Sequence, residues 1–164
     1  MKNDVWNIIV LILVALIVFA AAFYFTHSSS TGEREYSLQG IKVVSSSPPR
    51  NALADALQEK NLIVWITAVN ETESVACRQV AMSEIVIALS SRGKNVTVQG
   101  RVAGSYCVGA DRAKIACLTP AVTITNSAAN RIHIANAITV EGTDEWLCKN
   151  SVVLRDIFAW ALSK

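Results

Sequence analysis

The sequence predicts an α/β domain, a mixed sheet with helices on both faces, preceded by one N-terminal transmembrane helix. Three observations predict it. Ile8 to Phe25, "IIVLILVALIVFAAAFYF", is a run of 18 residues without a charge; at ~1.5 Å per residue a helix of that length covers ~27 Å, close to the ~30 Å of a bilayer core. Beyond it, stretches of period-two hydrophobicity alternate with stretches of helical period. The most apolar of these, "LIVWITAV" from Leu62 to Val69, is continuous and rich in β-branched residues, as a strand covered on both faces would be.

Val5-Trp6-Asn7 extends the apolar run, so the span is read as residues 5–25 within an anchor of 1–25. A cleaved signal peptide is the rival, with Ala20 to Ala22 as a small-residue cleavage site. The run exceeds the ~7–15 residues of a signal core, and Lys2 is opposed by Asp4, which favours an uncleaved anchor embedded in membrane lipid. Trp6 and Tyr24 suit the two interfacial belts. Residues 26–37, "THSSSTGEREYS", have little to bury and read as a polar tether, leaving 38–164 as the folded domain.

Within the domain, "IKVV" alternates and stops at "SSSPP", a strand and its end. "NALADALQEK" spaces Leu53 and Leu57 by a helical turn behind Asn51, a candidate N-cap. "LIVWITAV" leads into a long helix from about Glu71 to Arg92, stopped by Gly93 and opened by a capping box of Asn70 and Glu73. Only Ser83 and Glu84 are polar between Val80 and Leu89, so most of that helix should be covered. "NVTVQGRV" is a strand, "AGSYCVGA" a loop, and "RAKIACL" a short helix capped by Asp111. "AVTITN" has one polar face. "RIHIANAITV" is either one long strand or a hairpin turning at Ala135-Asn136. Thr143 then opens a final helix, with Leu147, Leu154, Phe158 and Ala161 on one stripe and Asp144 and Glu145 where the helix dipole favours acids.

The chain carries 15 Lys plus Arg against 13 Asp plus Glu, scattered without a basic stripe, which argues against a nucleic-acid partner. All four cysteines lie beyond residue 76. An even count in a small domain indicates a disulfide framework and an oxidising compartment, with three pairings open. The domain is therefore placed outside the cytoplasm and the amino terminus inside, a single-pass arrangement in the cell membrane. Asn70 ("NET") and Asn95 ("NVT") are candidate glycosylation sites. No metal or cofactor is expected, because the cysteine spacings fit no zinc pattern and His133 is the domain's lone histidine. Nothing places His133 near Ser74, so a serine–histidine pair has no support.

"LIVWITAV" followed by "ETESVACRQVA", and "LTPAVTITN" with Pro120 before a strand, resemble the thioredoxin-like fold across 38–164. The rival layout is a small Rossmann-like sheet, in which both strands after the long helix would run parallel. The family's Cys-x-x-Cys is replaced here by Ser74-Val75-Ala76-Cys77, so the attacking cysteine is missing. The resemblance implies that the long and final helices pack on the same face of the sheet with both N-termini near one end, which favours Cys77 with Cys148 and Cys107 with Cys117. It also implies Pro120 beside Cys77. Three functions follow as expectations: a non-catalytic binding or accessory domain with an envelope-protein partner; a thiol–disulfide enzyme using Cys77 and Pro120; or a small-ligand site at the strand ends. Oligomeric state is left open.

Overall fold

A computed structural model describes residues 32–68, 73–102, 107–108 and 113–163. The chain divides into two compact units, Met1–Glu33 and Arg34–Lys164. The second is an α/β domain with, among the described residues, nine strands and three helices: β1 (Arg34–Leu38), β2 (Ile41–Ser45), α1 (Pro49–Ala56), β3 (Asn61–Ala68), α2 (Ala76–Ser91), β4 (Asn95–Val102), β5 (Cys107–Val108), β6 (Lys114–Ile115), β7 (Val122–Asn126), β8 (Arg131–Ile134), β9 (Ile138–Gly142) and α3 (Asp144–Ala161). They form one mixed sheet in the order β1-β2-β8-β9-β7-β3-β4-β5-β6.

This corrects the expected fold class in three respects. Among the described residues no helix is long and apolar enough to cross a membrane, and residues 5–25, from which the span was read, lie outside the described residues. In the sheet, β4 and β7 both run parallel to β3, and β9 runs parallel to β7. That is the parallel pairing of the rival layout, but antiparallel neighbours at β1–β2, β8–β9 and β4–β5–β6 make the whole a wider mixed sheet. Third, the helices share one face. Ala52, Leu53 and Leu57 around α1, Ala81, Ile85, Ala88 and Leu89 from α2, and Leu147, Leu154, Ile157 and Phe158 from α3 form one core with Ile41, Val43, Leu62, Val64, Val122, Ile124, Ile132, Ile134, Ile138 and Val140. In each strand these alternate with residues pointing to the other face, as the period of two requires.

The other face carries Lys42, Arg131, His133, Thr139, Glu141, Thr123, Trp65, Thr97 and Gln99, brought into line by the strand register. Arg131 pairs with Glu141 at 2.7 Å across β8–β9. To pass from β6, at one edge, to β7, on the far side of β3, residues 116–121 cross this face.

Local chemistry sets several boundaries. The folded unit begins at Arg34, inside the 26–37 stretch read as a tether: Tyr36 and Leu38 pack on the core, and Gln39 and Gly40, both at positive φ, make the two-residue turn into β2. α1 starts at Pro49, a residue with no N–H to lose, rather than behind Asn51. "RAKIACL" supplies the short strand β6 rather than a helix; Asp111 lies outside the described residues. The 131–140 segment is a hairpin, closed by the Ala135 N–H donating to the Ala137 carbonyl at 3.1 Å. α3 opens at Thr143, whose Oγ1 accepts from the Trp146 N–H at 3.2 Å. Gly142 is required just before it, because a Cβ there would stand 2.3 Å from the Trp146 ring.

Candidate functional site

In open α/β sheets, ligands and chemistry gather at the carboxyl ends of parallel strands. Here β3 and β9 lead at that end into α2 and α3, so both helix N-termini lie there. The two helices run parallel and in register: Cys77 bonds Cys148, and two turns on Arg155 pairs with Glu84 at 3.2 Å, each pair separated by 71 residues.

The centre of this end is Arg78, only 1% exposed. A buried guanidinium needs acceptors for its fork of N–H groups, and it has them. Nη2 donates to Glu73 Oε1 at 2.6 Å and to the Ser74 carbonyl at 2.8 Å. Nε donates to Asp144 Oδ1 at 3.2 Å, and Nη1 donates to the Thr67 carbonyl. One side chain thus ties the end of β3, the approach to α2 and the first turn of α3, beside the disulfide that joins the same two helices.

The local sequence explains why α2 begins late. Glu73 binds Arg78, and the helix starts at Ala76, five residues after the expected start, with Val75 as an N-cap that offers no side-chain bond. Cys77 therefore lies in the first turn rather than the second. Asn70 lies outside the described residues.

The structure joins Cys77 to Cys148 (Cα–Cα 4.8 Å) and Cys107 to Cys117 (Cα–Cα 5.1 Å). It does not join Cys77 to Pro120. Val122 aligns with Val64 in parallel, so Pro120 stands level with the start of β3, while Cys77 follows its end. Some six residues of strand separate the two levels, about 20 Å. Had β7 run antiparallel to β3, Pro120 would lie at the Cys77 end. The peptide bond before Pro120 is trans. Ser74 is exposed and contributes only its carbonyl, to Arg78. His133 is half-buried on the open face, far in the sheet order from α2. Asn95 is exposed at the start of β4, its Nδ2 donating to Asn61 Oδ1 at 2.9 Å. No group of metal-ligating residues exists among the described residues.

A second polar centre lies on the open face. Gln99, buried, accepts at Oε1 from the Trp65 indole N–H at 3.2 Å and from the Leu118 N–H at 3.3 Å. The Arg101 guanidinium stacks over Trp65, 4.8 Å from the ring centre. These contacts and the Cys107–Cys117 bridge hold the 116–121 crossing onto the sheet.

The sequence reading missed Arg78 and Gln99 as organisers. Arg78 had a faint signal, an arginine at the mouth of a nearly uncharged helix with Glu73 five residues before it. Gln99 had none, since a polar residue on a strand's polar face is ordinary. No protein-family model, curated protein or solved structure matches this chain.

Proposed function

We propose that this chain is a non-catalytic binding or accessory domain that works in an oxidising compartment outside the cytoplasm, with another protein as its partner. The observation that carries this reading is the engagement of the strand-end groups with one another. Arg78, the one buried cation among the described residues there, is held by Glu73, Asp144 and two carbonyls, and the neighbouring Cys77 is bonded to Cys148. Chemistry at such a site needs a free nucleophile or an uncommitted charge, and these residues are committed to structure. Paired cysteines in a domain of this size support the compartment. Asn95, exposed at a strand start, is available to a glycan in a host that adds them.

The test is peptide mapping under non-reducing conditions, with a thiol-blocking reagent present from cell lysis. Recovery of both bridges with no labelled cysteine is the expected outcome. Blocking reagent on Cys77 in the native protein would instead return a thiol–disulfide enzyme. That alternative has less support, because Pro120 stands at the other end of the sheet.

A further inference from the structure

The two disulfides differ in their exposure and in the charge around each sulfur. Cys148 is exposed and Cys77 half-buried; in the other bridge Cys117 is half-buried, but its partner Cys107, which would have to depart as a thiolate, is fully buried, and burial disfavours the charged form. Cys77 is the second residue of α2, a helix with no side-chain N-cap and no acidic residue in its first turn. A thiolate there meets the positive end of the helix dipole. Cys148 belongs to α3, whose first turn is capped by Thr143 and carries Glu145 three residues before the sulfur, beside Asp144, which is paired with Arg78. Negative charge on its sulfur is correspondingly disfavoured. Arg78 does not reverse this contrast, because Glu73 and Asp144 neutralise it.

In thiol–disulfide exchange the attacked sulfur must be reachable, and the departing sulfur leaves faster the better it carries negative charge. Accessibility and electrostatics here select the same direction. We infer that Cys77–Cys148 is an exchange-competent bridge, opened by an external thiol at Cys148 with Cys77 as the leaving thiolate, while Cys107–Cys117 is inert framework. The external thiolate forms a bond to Cys148 Sγ; the Cys148–Cys77 bond breaks and its electron pair goes to Cys77 Sγ. When the co-reactant is a dithiol, its second thiolate attacks its own sulfur in the mixed disulfide and releases Cys148. Two electrons have then passed from the dithiol to the protein, the dithiol has become a disulfide, and its two protons end on the cysteines. The bridge thereby serves as a reductant-sensitive link between α2 and α3. This goes beyond the binding reading, which concerns the oxidised steady state.

The experiment treats the oxidised full-length protein, in native buffer, with reduced glutathione, then quenches with acid, alkylates and maps the peptides over time. Glutathione should appear on Cys148 with alkylated Cys77 in the same molecules, at a rate about tenfold or more above any opening of Cys107–Cys117. Glutathione on Cys77, or opening of Cys107–Cys117 as fast, overturns the inference. Val75→Asp adds a negative charge beside the α2 N-terminus without touching either sulfur. It should slow the reaction about threefold and leave Cys107–Cys117 as the internal control; an unchanged rate overturns the leaving-group assignment.

Discussion

The end of the sheet where α2 and α3 begin and the edge formed by β4, β5 and β6 are both built around a disulfide, yet they are held in different ways. At the helix end, a bridge spanning 71 residues joins two helices that already share a packed core and the Arg78 network. At the edge, a bridge spanning 10 residues links two strands of two residues each, and Gln99 holds the crossing that follows them. The first bridge reinforces an extended packed core; the second staples two strands of two residues each. Stability should thus be lost in different forms at the two places, globally at the first and locally at the second.

Removing each bridge separately tests this most directly. Loop-closure entropy assigns about 4.4 kcal/mol to a 71-residue loop and about 2.7 kcal/mol to a 10-residue loop. Cys77→Ala with Cys148→Ala should therefore lower the global unfolding free energy in urea by about 4 kcal/mol. Cys107→Ala with Cys117→Ala should cost less globally, while hydrogen exchange in 113–120 rises well above that of β3 and β7. Equal exchange increases across the whole sheet in the second variant would mean that the edge is not a separate unit.

Arg78 sharpens the helix end. Arg78→Ala removes the donor that Glu73, Asp144 and the Thr67 and Ser74 carbonyls share, and breaking a buried pair from one side costs ~3–5 kcal/mol. Glu73 and Asp144 have side chains 20% and 41% exposed, so water recovers part of this. A loss of about 3 kcal/mol is expected by chemical denaturation, and Arg78→Lys should recover little, because an ammonium cannot reproduce the fork. Full recovery by lysine would reduce the network to charge alone. Gln99 is the matching probe at the edge. Gln99→Ala strands the Trp65 indole N–H and the Leu118 N–H together, and unsatisfied buried donors cost ~1–3 kcal/mol each. Leu118 lies in an exposed crossing that can turn to water, so about 2 kcal/mol is expected, accompanied by a shift in Trp65 fluorescence. An unchanged spectrum would count against the indole contact.

Much of the helix end was legible in the sequence because its signals are local. Thr143 followed by Asp144 and Glu145 marks the start of α3, and the stripe of Leu147, Leu154, Phe158 and Ala161 is buried along its length. Strand direction was not legible. "AVTITN" alternates identically whichever way it runs, and the long connection before it permits either, so the placement of Pro120 beside Cys77 had no physical basis in the pattern. The pairing of Cys77 with Cys148 required something else, that α2 and α3 lie side by side with both N-termini at one end, and this the structure has. β1 was hidden for another reason: Glu35 and Ser37 make it look polar, while Tyr36 and Leu38 reach the core. The start of α2 was obscured because Glu73, read only as part of a cap, also serves Arg78. The expectation that most of α2 is covered also meets exceptions in Val80 and Ile87, which are 45% and 55% exposed.

The smallest predicted effect tests whether the helix end is reinforced redundantly. Thr143 caps α3 through Oγ1, and its own N–H donates to Asn130 Oδ1 at 3.0 Å, so the backbone stays anchored when the hydroxyl is removed. Thr143→Ala should then cost about 1 kcal/mol, the ordinary value of an N-cap, in the oxidised protein. With Cys77 and Cys148 both replaced by alanine, the first turn of α3 loses its covalent tether, and the cap and Arg78–Asp144 remain to hold it. If the bridge, the ion pair and the cap support one another, the same substitution should cost about 0.5 kcal/mol or more beyond its value in the bridged protein, the size of coupling typical of neighbouring groups. Equal costs in the two backgrounds would make the cap an independent contribution, and the helix end a sum of separate ties rather than a cooperative one.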